Sequence, residues 1–273
     1  MPILHIVVLA LIQGVTEFLP VSSSGHLALV PILTCWPDQG LIIDVAVHVG
    51  TLGAVVLYFW RDVFGMVGGV LSVARGRRDP QAKLAGLIIL ATVPVIVAGY
   101  FLHRYGIDGL RSLRVIAWAT LGFGIVLWVA DKAGMTLRRM QHLGVSDGII
   151  IGLSQVLALI PGTSRSGITM TAARLLGMER TDAARFSMLL SIPTIVGAGT
   201  LTGMDLYQSG DARLSYDAML AAGLAFVTAL IAISLLMAWL KRSSFTPFVI
   251  YRILFGGILL LLSYGYFNVD FCS

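Results

Sequence analysis

Apolar residues run through this chain in long unbroken blocks, separated by short basic or turn-rich stretches, rather than with the spacing of a helix that shows one face to water. A bilayer-crossing helix needs about 20 predominantly apolar residues. Six blocks meet that need, at 41–60, 84–101, 115–130, 183–203, 218–240 and 248–267. Two other regions do not. The run 4–19 breaks at Pro20 and resumes at 27–36, and a second broken run occupies about 147–177. Each reads as a helix, a break and a half-helix, that is, a re-entrant hairpin, spanning about 3–36 in the first case. The pattern predicts an all-α polytopic membrane protein with six transmembrane helices plus two re-entrant helix hairpins.

The two broken runs also match one another. Gln13 and Gln155, Ser22 and Ser164, Ser24 and Ser166, and Gly25 and Gly167 are all 142 residues apart. One offset joining four identities marks a duplication. The single membrane domain, 1–273, then divides into a first repeat at 1–131 and a second at 145–268, each a hairpin followed by three spans. A unit that crosses three times places its copy upside down, so an inverted-topology repeat is expected, with a midplane site built from broken helices.

Composition sharpens this picture. With 57% hydrophobic residues, 12% charged residues and a mean hydropathy of +0.89, no single soluble core could hide the apolar surface. The net charge of +5 needs no nucleic-acid partner, because basic cytoplasmic loops and anionic lipid account for it. Arg61 to Lys83, Lys132 to Arg139 and Lys241-Arg242 fall on one side, which should be cytoplasmic. Asp205, Asp211, Arg213 and Asp217 make an acidic loop on the other; the stretch from His103 to Arg114 fits the rule poorly. Both termini and the opening of the first hairpin then face outward. Cys35 and Cys272 lie at opposite ends without metal-like spacing, so neither a disulfide framework nor a thiolate site is inferred. The N-terminus lacks a basic leader and cleavage site and reads as mature sequence.

The chemistry-bearing residues concentrate at the two breaks. Gln13 and Glu17 are four apart, on one helical face. An ionised carboxylate at membrane depth costs about 2.5 to 3.5 kcal/mol, so Glu17 needs a partner, a proton or an aqueous cavity. Ser22, Ser23, Ser24, Gly25 and His26 open a half-helix, where hydroxyls either cap the helix or receive a phosphate, and a serine could attack phosphorus if Glu17 or His26 took its proton. Ser164, Arg165, Ser166 and Thr169 repeat the hydroxyls and add a guanidinium suited to phosphate, or to a salt bridge with Glu17. The copies differ: Leu159 stands opposite Glu17 and Ile168 opposite His26, while Arg165 stands opposite Ser23. Acid, imidazole and hydroxyl in one copy and an anion clamp in the other suit an asymmetric reaction better than a symmetric transport path. Asp44, His48 and Thr51, with Thr194 offset from Thr51 by 143, read as cavity-lining or packing groups.

At these motifs the sequence resembles the undecaprenyl-pyrophosphate phosphatase family, also called the bacitracin-resistance protein family. Gln13-Gly-Val-Thr-Glu17 is similar to its Glu/Gln-x-x-x-Glu motif, Pro20-Val-Ser-Ser-Ser-Gly-His26 follows as the family pattern expects, and Pro161-Gly-Thr-Ser-Arg-Ser-Gly-Ile-Thr169 is similar to its Pro-Gly-x-Ser-Arg-Ser-x-x-Thr motif. Val49-Gly-Thr-Leu52 and Thr246-Pro-Phe-Val-Ile-Tyr-Arg252 are also family-like. The one departure is Ser24, where threonine is frequent.

The resemblance implies removal of the terminal phosphate from undecaprenyl pyrophosphate, recycling the lipid carrier for cell-wall synthesis and conferring bacitracin resistance. It implies a multi-pass protein of the bacterial cytoplasmic membrane whose site opens outward, working with Mg²⁺ or Ca²⁺. By motif, Ser23, His26, Glu17 and Arg165 would be catalytic, Ser22, Ser24, Gly25, Ser164, Ser166 and Thr169 would bind substrate, and Glu17 with Gln13 would hold the metal. Membrane lipid and the polyprenyl pyrophosphate are the expected partners, nucleic acid is not, and the oligomeric state is open to a homodimer. A transporter or lipid-phosphate flippase is the rival expectation, since inverted repeats and broken helices serve that function too.

Overall fold

The computed structural model describes residues 2–37, 40–105, 110, 112–134, 136–209 and 212–265, without the side chains of residues 32, 41, 103, 198–209, 212 and 213. The described secondary structure is helical: α1 (Ile3–Thr16), α2 (Ser23–Thr34), α3 (Gly40–Tyr58), α4 (Trp60–Ala74), α5 (Pro80–Tyr105), α6 (Leu113–Ala133), α7 (Val145–Val156), α8 (Arg165–Leu175), α9 (Arg180–Ser209), α10 (Ala212–Leu240) and α11 (Thr246–Ser263). Both broken runs are helix–break–helix pairs, α1 with α2 and α7 with α8. The apolar stretches within α5, α6, α10 and α11 are long enough to cross a membrane. The chain is therefore a multi-pass membrane protein.

The first expected span ends sooner than its apolar block suggests. Helix α3 stops at Tyr58, and α4 leaves it at an angle of 81° across Phe59. The stretch from Arg61 to Lys83, expected as a loop, is thus mostly helix. Val63, Met66, Val67, Val70 and Leu71 recur at helical spacing, and they line an apolar cavity of about 470 Å³ with α5 and α9. Helix α9 covers the expected block at 183–203. The side chains of Asp205, Asp211 and Arg213, which made the acidic loop, lie outside the described residues, as does much of the stretch 103–114. One cysteine expectation is corrected: Cys35 is disulfide-bonded, and Cys272 lies outside the described residues.

Packing couples the two halves of the chain reciprocally. Helix α1 packs on α10 and α7 packs on α5, so each broken pair leans on a long helix of the other half. Helix α3 also crosses α10, and α6 pairs with α11. Small residues set these approaches. A Cβ at Gly50 would lie 2.1 Å from the Ala222 carbonyl oxygen of α10, and one at Gly152 would lie 2.6 Å from the Ala91 carbonyl oxygen of α5. With little hydrophobic drive between helices in lipid, such close contact supplies the attraction.

The basic ends are tied by ion pairs. Arg138 holds Asp147 through Nη1 at 3.0 Å and Nη2 at 2.6 Å, and the Gly144 N–H donates to the same carboxylate at 2.7 Å. Burial pushes the Asp147 carboxyl upward, but the Arg138 fork, the Gly144 amide and the nearby positive charge outweigh it and hold the group below the usual carboxylate range. A lowered pKa contributes stability that is present above the usual value and lost as pH falls through the lowered one. Asp147→Asn is therefore expected to melt below wild type at neutral pH, with the difference shrinking in acid. Thermal unfolding in detergent at both pH values checks this; an unchanged gap would refute it.

Candidate active site

The two breaks meet. At the first, Ser22 adopts a left-handed backbone, φ 76°, and its hydroxyl accepts the Gly25 N–H at 3.3 Å, starting α2. At the second, Ser164 does the same with φ 71° and accepts the Gly167 N–H at 3.1 Å, starting α8. Each serine hydroxyl also touches that of the serine two residues on, at 3.4 and 3.2 Å. The offset of 142 is thus repeated in geometry. A left-handed non-glycine residue costs about 1–3 kcal/mol and survives only where its surroundings hold it, as they often do in active sites.

The strained caps turn the next residues, Ser23 and Arg165, into one cavity of about 390 Å³, lined also by Glu17, Ser24, Ser164, Asp44, His48, Ala158 and Thr194. Helices α2 and α8 both begin at this cavity, so two positive dipole ends meet there. Glu17, only 6% exposed, is the hub. Its Oε2 accepts the Ser23 hydroxyl at 2.7 Å and the Gln13 amide at 2.9 Å, and its Oε1 accepts Arg165 Nη2 at 2.9 Å. The salt bridge foreseen for Arg165 forms: the guanidinium pairs with Glu17, and Nη1 also donates to the Ser187 carbonyl at 3.3 Å.

The imidazole beside this carboxylate belongs to α3. His48 Nε2 lies 3.6 Å from Glu17 Oε2, while its Nδ1 donates to the Asp44 carbonyl at 2.6 Å. His26 points elsewhere. Its Nδ1 donates to the Ser22 carbonyl at 2.7 Å, its Nε2 meets the Tyr251 hydroxyl, and its ring stacks on Phe255 at 4.5 Å. Because a carbonyl only accepts, Nδ1 carries the proton and Nε2 is the acceptor for Tyr251.

Of the other expected substrate ligands, Ser24 and Ser164 line the cavity. Ser22 and Gly25 form the cap. Ser166 donates to the Glu17 and Leu19 carbonyls at 3.2 and 3.0 Å, tying the second break to the first. Thr169 is engaged with the Arg165 carbonyl at 2.9 Å and the Ser187 hydroxyl at 2.6 Å. Sequence reasoning missed Ser187, and it met Tyr251 only inside the family-like stretch Thr246 to Arg252, without a role in the site.

Gln13 and Glu17 can be tested as cation ligands. Both offer hard oxygen, and Gln13 Oε1 is buried with no hydrogen-bond partner. The carboxylate is already engaged by Arg165, Ser23 and Gln13, and among the described residues no three His, Cys, Asp or Glu side chains converge on a metal position. Two protein oxygens alone would leave most ligand positions of a hard cation to other donors.

The fold and this cavity define a class first: a multi-pass helical membrane protein with a phosphate-suited site where two broken helices meet. Comparison narrows the class. The family model for the bacitracin resistance protein BacA matches residues 6–258, and the chain belongs to that family. It is 54% identical over 271 residues to undecaprenyl-diphosphatase 1 of Rhodospirillum rubrum, covering 97% of this chain and 96% of that one. It is 54% identical over 267 residues to undecaprenyl-diphosphatase of Ruegeria pomeroyi, covering 97% and 100%. The enzyme of that name from Hahella chejuensis is 48% identical over 262 residues, covering 96% and 98%.

Proposed function

We propose that this protein hydrolyses undecaprenyl pyrophosphate to undecaprenyl phosphate and inorganic phosphate, returning the lipid carrier to cell-wall synthesis and conferring bacitracin resistance. The observation that carries the reading is the Ser23 hydroxyl held 2.7 Å from Glu17 Oε2 while Arg165 holds the other oxygen. That is a nucleophile on a base beside an anion clamp.

Ser23 Oγ attacks the terminal phosphorus as its proton passes to Glu17. The bond from that phosphorus to the bridging oxygen breaks, and undecaprenyl phosphate leaves with the electron pair. Water then attacks the phosphoserine, Glu17 returns its proton to the departing Ser23 oxygen, and inorganic phosphate leaves as the dihydrogen anion, carrying the water oxygen and both its protons. Arg165, the Ser24 and Ser164 hydroxyls and the two helix N-termini stabilise the transferring phosphoryl group. His26, braced between Ser22 and Tyr251, holds the strained cap that presents Ser23. Ser166 and Thr169 hold the second break. Glu17 and Gln13 would hold Mg²⁺ or Ca²⁺ together with the pyrophosphate, and the cation would supply charge neutralisation there.

The reading places the cavity on the outer face of the cytoplasmic membrane, with two inverted repeats of a re-entrant hairpin and three spans. Reciprocal packing of α1 on α10 and α7 on α5 supports the repeat, and a disulfide at Cys35, just past α2, suits an oxidising outer side.

Detergent-purified protein should release phosphate from undecaprenyl pyrophosphate, and Ser23→Ala should lower kcat on the order of 10³-fold or more. Quenched-flow mass spectrometry should find phosphate on Ser23; phosphate on His26 would reassign the nucleophile. Lipid binding without phosphate release by folded wild type would favour the transporter. A chelator should stop turnover, reversibly with Mg²⁺ or Ca²⁺, yet move the melting temperature of substrate-free protein by less than about 2 °C, because little cation binds without substrate. A large shift would mean a protein-only metal site.

A further inference from the structure

Helix α11 carries Arg252, which is fully buried. Its side chain reaches beneath both breaks at once. Nη1 donates to the Pro20 carbonyl at 3.2 Å and Nη2 to the Gly162 carbonyl at 3.0 Å. Nε donates to the Thr120 carbonyl at 2.9 Å, and Nη2 also reaches the Ala119 carbonyl at 3.4 Å, both on α6. No carboxylate pairs with it among the described residues. Two glycines leave room for the side chain: a Cβ at Gly124 would lie 2.9 Å from the Arg252 Cβ, and one at Gly167 would lie 3.0 Å from Nη1.

The two loop carbonyls are not arbitrary. Pro20 and Gly162 are themselves 142 residues apart, so Arg252 grips equivalent positions of the two breaks. Each lies three residues before the group its break presents: Pro20 before Ser23, and Gly162 before Arg165. Two inward-facing carbonyls in a buried space repel unless a donor sits between them, and a rigid planar fork fixes their separation.

We propose that Arg252 is a positioning residue for phosphoryl transfer: it sets the distance between the Ser23 nucleophile and the Arg165 clamp by bridging the backbone upstream of each. Arg252 touches no reacting atom. The inference deepens the phosphatase reading and rests on it for its kinetic arm alone.

Arg252→Lys keeps the charge but gathers its donors on a single nitrogen, without the planar fork that places Nη1 and Nη2 on the two carbonyls; Arg252→Met removes charge and donors together. Each is assayed below its own melting temperature. For Arg252→Lys, kcat should fall about 10- to 100-fold with KM within about threefold, the pattern expected when reacting groups are misplaced by an ångström. Amide hydrogen exchange supplies a readout independent of activity: in Arg252→Lys the two breaks, residues 19–23 and 160–165, should exchange faster together while the amides of α10 keep their wild-type rates. A folded Arg252→Lys protein with wild-type kcat, or with exchange raised evenly over all helices, would overturn the proposal. Coupled loosening of both breaks in a protein whose wild type releases no phosphate would uphold the strut and reject the phosphatase reading instead. Failure of Arg252→Met to fold, with Arg252→Lys folded and slow, supports the strut.

Discussion

Arg165→Ala is expected to lower kcat for phosphate release by about 10³-fold. On the mechanism proposed above, the guanidinium has two tasks in the cavity. In the resting protein it balances Glu17 at 2.9 Å, and in the reaction its planar fork faces charge spread over the phosphoryl oxygens. Alanine removes both. It leaves a buried carboxylate with only the neutral donors Ser23 and Gln13 and the neighbouring His48, so the base itself is disturbed. Arg165→Lys restores a charge but not the fork, and should recover no more than about tenfold of the loss. Initial rates of phosphate release from undecaprenyl pyrophosphate, on protein shown to be folded, check both. An alanine variant within tenfold of wild type would remove Arg165 from the reaction.

Asp131→Ala is expected to produce the largest loss of stability. Asp131 ends α6 and is buried, accepting Arg174 Nε at 3.1 Å, Arg180 Nε at 2.7 Å and the Phe245 N–H at 3.3 Å. Four helices thereby meet at one carboxylate. Arg174 is itself fully buried, with further bonds to the Asp131, Gly134 and Met178 carbonyls. Removing the acid strands that guanidinium, and breaking a buried pair in this way costs about 3–5 kcal/mol. The double variant Asp131→Ala with Arg174→Met should be the more stable of the two, because the fully buried charge is gone and the remaining Arg180 is partly open to solvent. Melting temperatures of the single and double variants in one detergent test this. A single variant that melts like wild type, or a double that melts lower still, would show that the pair is not the junction described here.

The cavity was legible in the sequence because polar residues in a membrane block are costly and therefore informative. Glu17, Ser23 and Arg165 stood out as such, and they converge. His26 stood out equally, yet it braces the cap against Tyr251 while His48 faces the carboxylate. Both histidines sit four residues after a carbonyl that fixes their Nδ1, and nothing in their local sequence says which ring turns toward the cavity. Helix α4 was hidden for another reason: Arg61 near its start and Arg75, Arg77 and Arg78 just past its end mark a basic loop, while its apolar stripe matters only once α5 and α9 are there to receive it.

The sequence by itself determined the membrane class, the 142-residue offset between two matching breaks, and that polar residues concentrate at those breaks, because hydropathy, spacing and composition are properties of the chain taken in order. Only the tertiary structure decided that the breaks touch, that Arg165 pairs with Glu17 and that Arg252 grips both loops. Those contacts join residues 148 and 232 positions apart, and such a pairing is set by how helices pack, not by any local pattern.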